Sequence, residues 1–94
     1  MTKITWSNRA LDDLHAIREY YLPNAPTFAE RITDEIFGKI DLLENHPLAG
    51  RIVPEFQENR LRELITGRYR IIYEIMEGNR VDITTIHPSA IPLQ

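Results

Sequence analysis

Residues 60–87 constrain the fold most tightly, because three segments of alternating side chains are joined by links too short for anything but hairpins. "RLRELI" (60–65) is followed by "TG" (66–67), "RYRIIYEIM" (68–76), "EGN" (77–79) and "RVDITTIH" (80–87). Each link holds a glycine, which supplies the positive φ that tight hairpin turns require. In 68–76, Tyr69, Ile71, Tyr73 and Ile75 share one face, apolar enough to carry a helical layer. Arg68, Arg70, Ile72, Glu74 and Met76 share the other, a mixed set that suits the open side of an antiparallel sheet. In 80–87, period two groups Val81, Ile83, Thr85 and His87 against Asp82, Thr84 and Ile86. His87 would then meet Arg70 only if the strand bulged or twisted near its end, an irregularity that Pro88 favours.

The covering layer is legible upstream. "KITW" (3–6) reads as a short strand, with Ser7 or Asn8 placed to cap a helix over about 8–21. Ala10, Leu14, Ile17 and Tyr21 form its stripe, Leu11 widens it, and Asp12 and Asp13 sit where the helix dipole favours acids. "LPNAP" (22–26) breaks the chain. A second helix over about 26–45 carries Ala29, Ile32, Ile36, Ile40 and Leu43, with Phe28 and Phe37 beside them. Gly38 inside it marks either close helix packing or a neutral position. "HPLAGRIVPEFQEN" (46–59) is a long loop with room for a short strand or turn. The order is β-α-α-β-β-β. The fold class is α+β: a two-helix hairpin packed on one face of a mostly antiparallel three- to four-stranded sheet, the first strand joining in parallel.

A chain of 94 residues points to one domain with a small core. There is no cysteine, so disulfides and thiolate metal sites are excluded. No apolar run is long enough for a bilayer, and "MTKITWSNRA" lacks the pattern of a signal peptide, so a cytoplasmic protein is expected. His15, His46 and His87 lie at no metal-ligand spacing, and no glycine-rich phosphate loop exists; no metal and no cofactor are expected. The net charge of -3 disfavours nonspecific polyanion binding, although 60–70 holds four arginines against one glutamate.

Two kinds of function fit these residues. A ribonuclease working through the RNA 2′-hydroxyl needs a base, an acid and cations near the phosphate. Glu55 or Glu63 would be the base, Arg70 with Arg62 or Arg68 the phosphate holder, and His87 the acid. Each also has a plain structural role available: a loop acid, a cross-strand pair of Glu63 with Arg70, solubility for the arginines, a packed terminal histidine. A binding module needs only the open sheet face and exposed aromatics. Candidate contacts are Arg60, Arg62, Arg68, Arg70, Ile72, Glu74 and Tyr20, with Tyr69 as a further aromatic. Trp6, Tyr21 and Tyr73 are aromatic too, but core packing is their commoner fate.

Four stretches together resemble the RelE/ParE superfamily of type II toxin–antitoxin toxins, and its ParE (plasmid stabilisation) branch most closely. They are "WSNRALDDLHAIREYY" (6–21), "LLENHPLAGRIVPE" (42–55), "LRELITGRYRIIYEI" (61–75) and "ITTIHPSA" (83–90), covering nearly the whole chain. The resemblance implies a toxin held inactive by a cognate antitoxin in a hetero-oligomer. In the ParE branch the target is DNA gyrase, poisoned without catalytic residues. In the RelE branch it is messenger RNA on the ribosome, with Arg70 matching the phosphate-contacting arginine and His87 a histidine that acts in some members. No tyrosine or arginine follows Arg80, and lysines are few, which departs from the RelE pattern and puts gyrase first. A non-toxic partner-binding module ranks third.

Overall fold

The computed structural model describes residues 1–93. Its elements run β1 (Lys3–Trp6), α1 (Asn8–Tyr21), α2 (Pro26–Asp41), a 3₁₀ turn (Leu42–Glu44), β2 (Arg51–Ile52), β3 (Leu61–Thr66), β4 (Tyr69–Met76) and β5 (Arg80–Pro88). The sheet has five strands in the order β1-β5-β4-β3-β2. The added strand is β2, which forms inside the 46–59 loop because Arg51 and Ile52 pair with Glu63 and Arg62. β1 joins β5 in parallel and the remaining pairs are antiparallel.

Ser7 caps α1, accepting from the Ala10 amide at 2.9 Å. Ala10, Leu14 and Ile17 are buried, as are Ala29, Ile32, Ile36 and Ile40 of α2. These stripes close over Tyr69, Ile71, Tyr73, Val81, Ile83 and Ile86 on one face of the sheet. Trp6 packs against Phe37 with ring centroids 5.6 Å apart, which ties β1 to α2. Leu11 does not widen the stripe: it is 50% exposed. α2 ends at Asp41, and the last turn tightens to 3₁₀ so that Leu43 stays in the core. Gly38 is not a close-packing point, since a Cβ there would meet no atom within 4 Å.

Tyr73 explains why the loop before β2 takes the path it does. Its hydroxyl donates to the Pro47 carbonyl at 2.8 Å and accepts from the Gly50 amide at 2.9 Å. A Cβ on Gly50 would lie 2.6 Å from the Glu63 carbonyl oxygen and 2.8 Å from the Tyr73 ring. Glycine is therefore required there by close approach. Burial pushes the Tyr73 phenol pKa up, so the hydroxyl stays a donor at neutral pH.

Period two fails in β5 at one residue. Ile72 of β4 pairs with Thr85 while Tyr73 pairs with Ile83, which leaves Thr84 as an extra residue. Beyond this bulge the faces exchange: Ile86 turns into the core and His87 becomes the cross-strand partner of Arg70. The bulge falls where β1 stops pairing, and α1 supplies the missing partners. The Ser7 hydroxyl donates to the Thr84 carbonyl at 2.7 Å. Asp13 Oδ2 accepts from the Ile86 amide at 3.0 Å and the Thr85 hydroxyl at 2.5 Å. Asp13 thus serves the sheet edge rather than the helix dipole.

Candidate functional site

The far face of the sheet, away from the helices, is organised by Arg70. Its Nε donates to Glu63 Oε1 at 2.6 Å, and its Nη1 and Nη2 donate to Glu55 Oε2 and Oε1 at 2.8 and 2.7 Å. Arg51 of β2 donates from Nε to the other Glu63 oxygen at 2.5 Å. Register makes the first and last contacts unavoidable: Arg51 lies directly opposite Glu63, and Arg70 lies diagonally across from it on β4. Glu55 arrives differently. Residues 54–56 turn back over the sheet, with the Phe56 and Gln57 amides donating to the Val53 carbonyl at 3.2 and 3.0 Å. Gln57 takes φ 51° to complete the reversal.

The centre of the network is buried. Glu63 is 1% and Arg70 7% exposed, while Arg51 stays largely in solvent. The Arg70 hydrogen bonds hold the Glu55 carboxyl at about 2, below its ordinary 4.5, and the same carboxylate pushes the guanidinium pKa up. An open groove of about 530 Å³ lies beside them, lined by Arg51, Pro54, Glu55, Ile65, Gly67, Arg70 and Ser89.

Of the residues expected at a nuclease site, the fold brings Arg70, Glu63 and Glu55 together and places His87 beside Arg70 on the same face. The His87 Nε2 donates to the Ile91 carbonyl at 2.7 Å, which folds the tail back on β5. Arg62 is separated from them. It faces the helix side opposite Tyr73, and its guanidinium binds the Gly50 and Asn59 carbonyls and the Asn59 side chain at 2.9–3.1 Å. Arg68 sits in the exposed β3–β4 turn. The cross-strand pair of Glu63 with Arg70 does form, and it is buried rather than exposed.

The binding candidates also divide. Ile72 is 3% exposed and offers no free surface. Arg60 pairs with Glu74 at 3.4 Å near the other end of the sheet. Tyr20 is 76% exposed. Sequence reasoning missed Arg51 and Asp13; the "GR" before an apolar pair was the available signal for the first, and nothing short of the bulge signals the second. Among the described residues, no group of three or more His, Asp or Glu side chains could hold a metal ion. No described helix is long and apolar enough to cross a membrane.

Chemically, this arrangement is a closed ion network rather than an open one. Each nitrogen of Arg70 donates to a carboxylate, and Glu55 occupies the paired Nη1/Nη2 edge, so a phosphate gripped on that edge would have to displace Glu55. A carboxylate titrating at about 2 is also a weak general base at neutral pH.

Comparison with known proteins gives one family and several relatives. Residues 4–90 match a family described as the ParE toxin of the type II toxin–antitoxin system, parDE. Toxin RelE2 of Caulobacter vibrioides is 34% identical over 79 residues, spanning 83% of this chain and 85% of that protein. Among solved structures, the chromosomal ParDE toxin–antitoxin system from P. aeruginosa superposes with a TM-score of 0.75 at 21% identity, covering 94% of this chain and 96% of that one. The toxin–antitoxin complex RelBE2 from Mycobacterium tuberculosis gives 0.61 at 21% identity, covering 93% and 96%.

Proposed function

This chain belongs to the ParE toxin family of type II toxin–antitoxin systems, and from that premise we propose that it inhibits DNA gyrase in the cytoplasm and is neutralised by a cognate antitoxin in a hetero-oligomer. The observation that carries the choice of gyrase over RNA is the engagement of Arg70. Glu55 and Glu63 take three of its five N–H donors, including the paired Nη1/Nη2 edge, and the Ile91 carbonyl takes the Nε2 donor of His87. A protein that acts by binding a target needs neither group free, whereas a phosphate-cleaving one needs both. A stable partner complex is supported by the two structural neighbours, which are described as a toxin–antitoxin system and a toxin–antitoxin complex.

The test is direct. Purified protein incubated with gyrase, plasmid and ATP is expected to accumulate linear DNA. Absence of linear DNA together with mRNA cleaved on translating ribosomes would overturn the reading in favour of the nuclease. One observation favours that second reading: the Thr84 bulge sets His87 opposite Arg70, the pair an RNA-cleaving site would use. If neither assay responds and expression is harmless, the chain is a partner-binding module. A short acidic open reading frame beside the gene is expected for the antitoxin.

A further inference from the structure

The end of the sheet around the β3–β4 turn carries a second groove that the ion network does not fill. It has a volume of about 530 Å³ and is lined by Tyr21, Arg68, Tyr69, Pro88, Ser89 and Ala90. Both walls are pinned, because the Ser89 amide donates to the Arg68 carbonyl at 2.7 Å. The groove is therefore formed before anything binds, which removes part of the ordering cost of binding.

Its surroundings are unusual for this acidic chain. Tyr20 stands beside it, 76% exposed, edge-on to Tyr21 at 4.9 Å and 89°. Tyr21 in turn meets Phe28 at 4.8 Å, and the Arg31 guanidinium lies 5.5 Å from the Phe28 ring centre. Arg18 precedes Tyr21 by three residues, which places both on one side of α1. Arg18, Arg31 and Arg68 are exposed and make no ion pair among the described residues, while Glu19 on the same turn is engaged by His15 at 3.1 Å. Elsewhere Arg9, Arg51, Arg60, Arg70 and Arg80 have carboxylates, and Arg62 is taken up by the Gly50 and Asn59 carbonyls and the Asn59 side chain. Exposed tyrosine and arginine around an apolar groove is the composition of a binding hot spot. Arginines lacking acids call for an acidic occupant.

We propose that this groove receives an acidic segment of the antitoxin, which inserts an apolar side chain between Tyr21, Tyr69 and Pro88 and sets a carboxylate on Arg68. The inference rests on neutralisation by an antitoxin as read above. It places the contact at the β3–β4 turn rather than over Arg70.

The probe is the protein encoded beside this gene, used whole and as overlapping short peptides, with affinities measured by calorimetry. Binding should map to an acidic peptide with a large apolar residue. Arg68→Glu, Tyr20→Ala and Ala90→Trp, which would fill the groove, should each weaken it by about tenfold or more. Arg68→Lys should weaken it less than Arg68→Glu, and Lys3→Glu on the far edge strand should leave it unchanged. Thermal melts establish that these exposed substitutions keep the fold. If the neighbouring protein binds and all three groove variants bind it equally well, the groove is overturned while neutralisation stands. If no product of the neighbouring gene binds the unmodified chain, neutralisation and the groove fall together. Self-association of the chain that Tyr20→Ala abolishes would assign the groove to a second copy and overturn the proposal.

Discussion

On the helix side of the sheet, Ile71, Tyr73, Val81 and Ile83 are fully covered by the apolar stripes of α1 and α2. On the far side Glu63 and Arg70 are almost as buried, yet what holds them is one turn of loop and their own opposite charges. Apolar contact is non-directional and tolerates exchange of similar volumes. A buried ion network is directional, and losing one member strands the others. The two faces should therefore respond differently to the same kind of substitution. Removing a core side chain subtracts area and leaves a cavity; removing a network member leaves a charge without its partner.

Arg70→Ala gives the largest expected effect. It leaves the covered Glu63 carboxylate with Arg51 alone, and should cost about 3–5 kcal/mol. Ile71→Ala on the opposite face is expected at about 2–5 kcal/mol through its cavity. Magnitude alone does not separate the faces, but a second substitution does. Glu63→Leu combined with Arg70→Met should recover most of the loss, because no buried charge remains. No companion change at a neighbouring core position should rescue Ile71→Ala to that extent. Urea midpoints of the four proteins measure this. A double variant as unstable as Arg70→Ala would show that the far face is held by packing like the near one.

That contrast also explains what was legible. Period two and helical stripes are signatures of apolar burial, so the helix hairpin, the face assignment of β4 and the parallel first strand can be read from residues such as Ile71, Ile36 and Ile4. The Arg70–Glu63 contact was accessible as a cross-strand pair, but its burial was not. Burial depends on Glu55, which returns from a loop that carries no period. The fifth strand could be placed no more closely than somewhere within 46–59, for a related reason: Arg51 and Ile52 pair over only two residues, too few to show alternation. His87 was assigned to the core side because parity assumes an unbroken strand. The bulge at Thr84 reverses it, and its supports, Ser7 and Asp13, lie more than seventy residues upstream.

Asp13 tests whether the two faces are independent, since its carboxylate belongs to α1 while the bulge it holds aims His87 at the far side. Asp13→Ala removes the acceptor for the Ile86 amide and the Thr85 hydroxyl, and should cost about 1.5–3 kcal/mol. Hydrogen exchange at the Ile86 amide should accelerate well beyond that at Ile71. Equal acceleration at both would mean that the bulge and the core open as one unit. Acid sharpens the same comparison with a smaller effect. Because the folded-state pKa of Glu55 lies at about 2, below the ordinary 4.5, its contribution is complete above about pH 4.5 and disappears as pH falls toward 2. Glu55→Gln should be less stable than the parent at pH 7 and nearly equal to it at the acid end of that window. A stability gap that stays constant across the window would place the role of Glu55 in packing rather than charge.

Gly38→Ala is the smallest expected effect and has the opposite sign. In the loops that join the strands, glycine is demanded by geometry: Gly50 has Tyr73 and the Glu63 backbone closer than a Cβ tolerates, and Gly67 takes φ 53° in the turn that carries Arg68. Gly38 lies in the middle of α2 with open space where a Cβ would go. Nothing in the fold then offsets the conformational entropy that a helical glycine loses on folding. Alanine there should stabilise the chain by about 0.5–1 kcal/mol, seen as a raised urea midpoint with an unchanged slope. The position borders a shallow groove with Leu42, Ile65 and Thr66. If alanine instead leaves stability of the isolated chain raised but weakens antitoxin binding, Gly38 is kept open for the partner's passage along α2. If alanine destabilises, α2 packs more tightly than its apolar stripe requires, and the helix side would be the more exacting of the two faces.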